Sequence, residues 1–475
     1  MPHQQNMYHG GPNGPKHPQV VAVMIPFPAQ GHLNQLLQLS RLLLSYHIPV
    51  HYVCTATHIR QAKLRVHGWD PLASTNIHFH GFEIPPFLSP PPDPNATIKF
   101  PSHLQPAFDA SRHLRAPLVE LLRSLSVQSK RVIVIHDSLT GYMIQDVSSI
   151  PNAESYTFHS VSAFTIFLYI WEKQGKPIKV SQEFLEDVPS LEGCFSPEFL
   201  DFIDFQYRYL NSNTGKIYNT SKVIEGTSMD LLEKTLTGEK HWALGPFNPV
   251  QITAEKKVPS NGRNFCLKWL DGQPENSVIY VSFGTTTAMS DEQIKNLAMG
   301  LEQSGQKFIW VLRDADKGDV FAGEGGRQLP ALPKGFEDSV KDVGLVVRDW
   351  APQLEILAHP ATGGFVSHCG WNSCLESITM GVPIGTWPIH SDQPRNAVLI
   401  TKLLKVGIVV RNWERQDEVV TAAAVEIAVK RLMASKEGAE VRKRAAELGE
   451  AMRRSVADGG VSRAEWDSFI DHITQ

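Results

Sequence analysis

His368, Asn372, Ser373 and Glu376 fall inside nine residues, HCGWNSCLE, placed between the apolar run GGFVS and the helix-like SITMG. Ser373 to Glu376 reads S-x-x-E, a capping box in which each side chain satisfies a backbone N–H at a helix start. A cap leaves His368, Cys369 and Trp371 without a task. The same stretch also has the parts of an anion site. Gly370 permits close backbone approach, a helix N-terminus favours negative charge, and His368, Asn372 and Ser373 can hydrogen-bond a diphosphate. Glu376 stands one helical turn past Asn372, within reach of ribose hydroxyls. A cap and a nucleotide site can share one place, and these residues alone leave both open.

A second stretch, SFGTTT, comes after the run VIYV and offers Ser282, Gly284 and Thr285, small residues whose backbone N–H and hydroxyl groups can approach phosphate. Near the amino end, VVAVMIPFP leads into AQGHLNQ, which places His32 at the start of a long helical pattern. Asp137 closes the run VIVIHD. A histidine and an acid at neighbouring strand ends form a base and its orienter, the carboxylate fixing the imidazole tautomer. PFPAQGH lacks the repeated glycines of G-x-G-x-x-G, which disfavours a dinucleotide. No G-x-S-x-G, H-E-x-x-H or G-x-x-x-x-G-K-[ST] occurs. Asp314-Ala315-Asp316 matches the D-x-D of some metal-dependent sugar transferases, but its charged surroundings, DADKGD, point to a solvated turn.

These residues need strand ends to hold them. β-branched runs alternate with helix-period segments from Val20 (VVAVMI, LNQLLQLSRLLLS, PVHYVCT, VIVIHD, ESYTFHS), and the rhythm resumes from VIYVSFG to VGIVV. Alternation of this kind signals βαβ units and parallel sheets. The expected organisation is a disordered tail at 1–18, a first doubly wound domain at 19–245 and a Gly, Pro and charge-rich linker at 246–264. A second doubly wound domain is expected at 265–455, and a terminal helix at 456–475 presents Trp466, Phe469 and Ile473 on one face for docking on the first domain. The proline-rich IPPFLSPPPDPNAT reads as a surface loop. Between Phe158 and Leu210 aromatics are dense. The helical spacing of Phe195, Phe199 and Phe202 favours core over pocket, although an apolar ligand site needs such a lining too.

Composition narrows the function classes. The chain has 475 residues, 42% hydrophobic and 20% charged, with a formal net charge of -4, so neither nucleic acid nor an anionic membrane has an electrostatic claim on it. No apolar run approaches the roughly 20 residues of a bilayer span. Five cysteines without a C-x-x-C pair suit a reducing, cytoplasmic setting and no zinc site. The triplets beginning at Asn95 and Asn219 are then not expected to carry glycans.

Residues 350–393, WAPQLEILAHPATGGFVSHCGWNSCLESITMGVPIGTWPIHSDQ, resemble the plant secondary product glycosyltransferase box. The early GH and the stretch CLKWLDGQPENSVIYVSFGT are similar to the same family, the UDP-dependent glycosyltransferases, and the likeness extends over nearly the whole chain from Gln19. That resemblance implies an α/β GT-B fold, two Rossmann-like domains facing across a cleft, the sugar nucleotide held by the second and the acceptor by the first. It implies that Trp350 stacks on uracil, that Gln353 helps hold base or ribose, and that Glu376 takes the ribose hydroxyls. His368, Asn372, Ser373 and Thr285 would bind the diphosphate, and Trp371, Asp392 and Gln393 the sugar, with glucose the usual partner of such a set. His32 corresponds to the general base and Asp137 to its partner. UDP-glucose is then a co-substrate, and no cofactor or metal is needed. PFPAQGHLNQ, FHSVSAF and HSDQPRN resemble the zeatin O-glucosyltransferase branch, which implies a cytokinin or similar alcohol; flavonoid, phenolic or terpenoid acceptors are the alternative. GHLNQ departs from the commoner pattern, which has proline at or near Asn34 or Gln35. A monomer is expected. Two other classes stay in view: a silent UDP-sugar-binding protein and a dimeric scaffold that uses the aromatic segment.

Overall fold

The computed structural model describes residues 19–66, 68–210, 213–252, 264–321 and 332–475. The expected tail at 1–18 and most of the expected linker, 253–263, lie outside the described residues.

Thirteen strands form two sheets among the described residues. The first contains β1 (Val20–Ile25), β2 (Val50–Thr55), β3 (Ile77–Phe82), β4 (Arg131–Asp137), β5 (Ala153–His159), β6 (Gly215–Tyr218) and β7 (Lys240–Ala243), in the order β3-β2-β1-β4-β5-β6-β7. The second contains β8 (Val278–Ser282), β9 (Lys307–Val311), β10 (Gly344–Val347), β11 (Thr362–Ser367), β12 (Ile384–Thr386) and β13 (Gly407–Val409), in the order β10-β9-β8-β11-β12-β13. Neighbouring strands run parallel throughout, which requires a crossover between each pair. Central strands such as VVAVMI are buried over their whole length, because helices cover both faces of a parallel sheet.

The helices that build the cleft and brace the two sheets are α1 (Gln30–Ser45), α2 (Ala56–Leu64), α3 (Ala163–Lys173), α4 (Pro197–Tyr207), α5 (Gln353–Ala358), α6 (Trp371–Met380), α7 (Ala422–Ala434), α8 (Lys436–Ser455) and α9 (Val461–Thr474). The chain's end returns to the first sheet. Trp466, Phe469 and Ile473 of α9 join the core formed by Ile133, Tyr156 and Trp242, and Trp466 Nε1 donates to Leu244 O at 2.7 Å.

In each sheet the strand order reverses at one point, between β1 and β4 and between β8 and β11. Ligands of open α/β sheets bind outside the carboxyl ends of strands at such a point, because the crossovers there leave in opposite directions and open a crevice. β1 leads to His32, β4 ends in Asp137, β8 leads to Thr285, and β11 leads to His368.

Candidate active site

His32 and Asp137 meet. Residue Ile25 of β1 pairs in register with His136 of β4, so the next residues of both strands emerge side by side at the switch point. His32 Nδ1 lies 2.7 Å from Asp137 Oδ2, while Asp137 Oδ1 accepts from Leu139 N at 2.9 Å. The Asp137 side chain is fully buried and His32 is 21% exposed, so only the imidazole reaches solvent. An ionised carboxylate can only accept, so Nδ1 carries the proton and Nε2 keeps its lone pair for the cleft. Phe27 braces the ring edge-on, its centroid 5.0 Å away.

Across the cleft stands α6, and of the two readings left open for its start the capping box does not form. The helix begins three residues earlier than S-x-x-E requires, with Gly370 at its cap and no side chain bonded to its first N–H groups. Ser373 Oγ and Glu376 Oε2 instead accept from Gln353 Nε2, at 3.1 and 2.8 Å. The uncapped N–H groups therefore face the cleft as anion donors.

His368 packs where only glycine fits. A Cβ at Gly284 or at Gly370 would sit 2.6 Å from His368 Nε2, and Gly284 has φ +76°. Burial pushes the His368 pKa down to about 4, so the ring is neutral and acts as a hydrogen-bonding group. Burial also raises Glu376 to about 7 and Asp392 to about 6; the Gln353 bond opposes the first shift and the Asn396 bond the second.

Eleven of the twelve residues singled out from the sequence line one cleft of about 330 Å³: His32, Thr285, Trp350, Gln353, His368, Trp371, Asn372, Ser373, Glu376, Asp392 and Gln393. Asp137, the twelfth, stands behind His32. Two of them already bridge the halves. Asn372 Nδ2 donates to Gly31 O at 2.8 Å, and Trp371 Nε1 donates to Asn219 O at 2.8 Å. Gln393 Oε1 is engaged by the N–H groups of Ile389 and His390. The other end of the cleft is apolar and aromatic. Phe27, Phe100, Phe108, Phe195 and Phe199 line it, while Phe202 packs in the same aromatic cluster without reaching the cleft, so the aromatic spacing serves core and pocket together.

The expectation of a solvated D-x-D turn fails. Asp316 is buried at 7% exposure because two guanidinium groups neutralise it, those of Arg65 and Arg313. Among the described residues no group of three His, Cys, Asp or Glu side chains is placed to hold a metal ion. Asn219 is buried and bonded to Gln35 and to Phe247 N, which leaves no room for a glycan. Residues that the sequence did not flag for the site include Asn219, His390, Arg65 and Arg313. The Asn34-Gln35 departure was the visible sign of the first, since Gln35 joins Asn219 to Ser160 O.

Two doubly wound parallel sheets, each opening its switch point onto one shared cleft, make up a GT-B fold. Residues 18–249 match the family model "Glycosyltransferase, N-terminal domain", and residues 247–442 match "UDP-glucoronosyl and UDP-glucosyl transferase". The chain is 58% identical to a zeatin O-glucosyltransferase of Phaseolus lunatus, over 97% of this chain and 98% of that protein. It is 56% identical to a zeatin O-xylosyltransferase of Phaseolus vulgaris (96% and 98%), and 43% identical to a cis-zeatin O-glucosyltransferase of Zea mays (96% and 98%). Among solved structures it resembles Phytolacca americana UGT2 complexed with UDP-2fluoro-glucose and pterostilbene (TM-score 0.71, 26% identity, 96% and 99% of the chains). It also resembles a UDP-glucosyltransferase from Polygonum tinctorium capable of glucosylating indoxyl (TM-score 0.74, 25% identity, 96% and 99%). The chain belongs to the plant UDP-glycosyltransferase family, and it is a UDP-glycosyltransferase. No described helix is long and apolar enough to cross a membrane.

Proposed function

We propose that this enzyme transfers glucose from UDP-glucose to a hydroxyl of a cytokinin such as zeatin, with inversion, as a cytoplasmic monomer. Residues 19–245 hold the acceptor and residues 265–455 the donor. The observation that carries this reading is the opposition of His32 and the uncapped start of α6 across one cleft, with Gly31 and Asn372 already hydrogen-bonded.

His32 Nε2 takes the proton of the acceptor hydroxyl. The acceptor oxygen forms a bond to the anomeric carbon from the face opposite UDP, and the bond from that carbon to the β-phosphate oxygen breaks, its electron pair leaving with UDP. An α-linked sugar becomes a β-glucoside. The charge that grows on the β-phosphate falls among the N–H groups of α6, His368, Asn372, Ser373 and Thr285, fixed donors that need no reorganisation. Trp350 stacks on uracil, Gln353 and Glu376 hold base and ribose, and Trp371, Asp392 and Gln393 read the sugar. Asp137 keeps the His32 tautomer and stabilises the imidazolium. The Phe27, Phe100 and Phe199 wall suits a flat apolar ring.

His32→Ala is expected to lower turnover with trans-zeatin by roughly 10²–10⁴-fold. Near-normal turnover removes the base assignment. Relatives with glucosyl and xylosyl names stand almost equally near, so the donor is tested directly. With each donor at equal concentration, product mass should be dominated by the hexoside; equal or greater pentoside overturns the glucose assignment.

A further inference from the structure

Arg65 lies one residue past α2, on the acceptor side, and its guanidinium crosses to the other half. Nη1 donates to Asp316 Oδ2 at 2.5 Å and Nη2 to Asp316 Oδ1 at 3.1 Å. Arg313 Nη2 adds a bond to Oδ1 at 3.0 Å. The Arg65 and Asp316 side chains are 18% and 6% exposed, so water screens the pair little. Both guanidinium groups lie over the Trp350 ring, 5.2 Å from its centroid for Arg65 and 5.6 Å for Arg313.

The segment that carries Asp316 is held by the first half at two more points. His103 Nε2 lies 2.8 Å from Asp316 O, and Gly318 N donates to Ser89 Oγ at 2.8 Å. Within the second half, Asp316 N donates to Thr285 O at 2.6 Å, which ties the same turn to the phosphate end of the cleft. Behind Arg65 a polar chain runs to the catalytic helix. Arg65 Nη1 approaches Gln30 Oε1 at 3.5 Å, Gln61 Nε2 donates to the same oxygen at 2.8 Å, and Gln30 Nε2 donates to Asn34 Oδ1 at 2.8 Å. Gln30 and Asn34 flank His32 on α1. A planar fork suits this place because it meets a carboxylate at two points and still presents a flat cation to an aromatic face, which an ammonium does not.

We propose that Arg65 is a positioning residue for the donor: clasped by Asp316, it sets the Trp350 ring and the 314–318 turn, so that the base end of the donor site is complete only when the two halves are closed. The inference rests on the reading of Trp350 as the platform for uracil. It makes the acceptor half a contributor to nucleotide affinity.

The test measures UDP affinity by calorimetry, with KM for UDP-glucose and for zeatin, on the full-length enzyme. Arg65→Met, which keeps the stem and loses the cation, should raise the UDP Kd and the UDP-glucose KM about tenfold, the usual size of a coupling between sites. KM for zeatin and the melting temperature should stay close to wild type. Arg65→Lys should fall between, because charge survives and the fork does not, and Asp316→Asn should reproduce the split. Trp350→Ala serves as reference. If it weakens UDP while Arg65→Met does not, the inference fails alone; if it leaves UDP affinity unchanged, the donor-site reading beneath it fails as well. A common rise of both KM values with a fall in melting temperature shows a merely structural arginine and also overturns the proposal.

Discussion

Glu376 shows how one buried carboxyl can serve a site and cost stability. Burial raises its pKa to about 7, the Gln353 bond opposes this, and Glu355 adds to it. Between the ordinary carboxyl value and about 7 the folded state keeps a proton that the unfolded chain has lost. Its contribution to stability is therefore greatest at low pH and declines as pH rises through about 7. Above that pH the carboxylate is ionised, and in the proposed complex two ribose hydroxyls donate to it and offset its desolvation. UDP should accordingly stabilise the protein more at pH 8 than at pH 6. The phosphate's own ionisation near about 6 contributes to that difference in any variant, so Glu376→Gln is the control. Thermal melts with and without UDP should show a larger pH 6-to-8 gain in wild type than in Glu376→Gln; an equal gain in both removes the ribose assignment. At this scale most of the cleft's polar lining was legible, because each residue type already carries its chemistry. What the residues could not disclose was commitment. Gln393 and Trp371 are engaged by Ile389, His390 and Asn219, partners far off in sequence or set by a loop's path.

At the scale of elements, the long apolar runs were readable because parallel strands buried on both faces must be continuously apolar. β6, GKIY, and β7, KHWA, are four residues each and contain lysine, so no sequence period marks them. They are strands because β5 pairs with β6, which pairs with β7. The S-x-x-E box was ambiguous for a related reason. Its spacing fits a cap, but α5 packs beside α6 and Gln353 takes both side chains, so the helix starts at Trp371 and leaves its N–H groups open. The turn after β8 is the counterpart of that open end. Gly284 combines φ +76° with a Cβ position 2.6 Å from His368 Nε2, so Gly284→Ala meets both backbone strain and a collision. The ring that must yield lines the cleft, where the proposed diphosphate would sit. UDP Kd by calorimetry should rise about tenfold or more, equivalent to about 1.4 kcal/mol; an unchanged Kd shows that His368 does not set the donor's diphosphate.

The whole molecule is joined by bonds that no local pattern announces. Asn372 to Gly31, Trp371 to Asn219, Ser162 to Asn396 and Arg395 to Glu172 all cross between the two sheets. Their partners lie more than a hundred residues apart, so sequence order hides them. The terminal helix is different, since Trp466, Phe469 and Ile473 share one face and an apolar face must be covered. Trp466 stands 6% exposed, stacks on Tyr46 with centroids 5.8 Å apart and donates to Leu244 O. Trp466→Ala removes a large ring from the first sheet's core and orphans a buried carbonyl, a loss of about 3–5 kcal/mol on the scale of such truncations. The loss belongs to the first half alone, although the residue comes after the second half in sequence. Urea unfolding with and without UDP separates the two, because UDP seated in the second half, as proposed, would move that half's transition upward. Trp466→Ala should lower the midpoint of the transition that UDP moves least. A drop confined to the UDP-shifted transition would place α9 energetically with the second sheet, against its contacts with β4, β5 and β7.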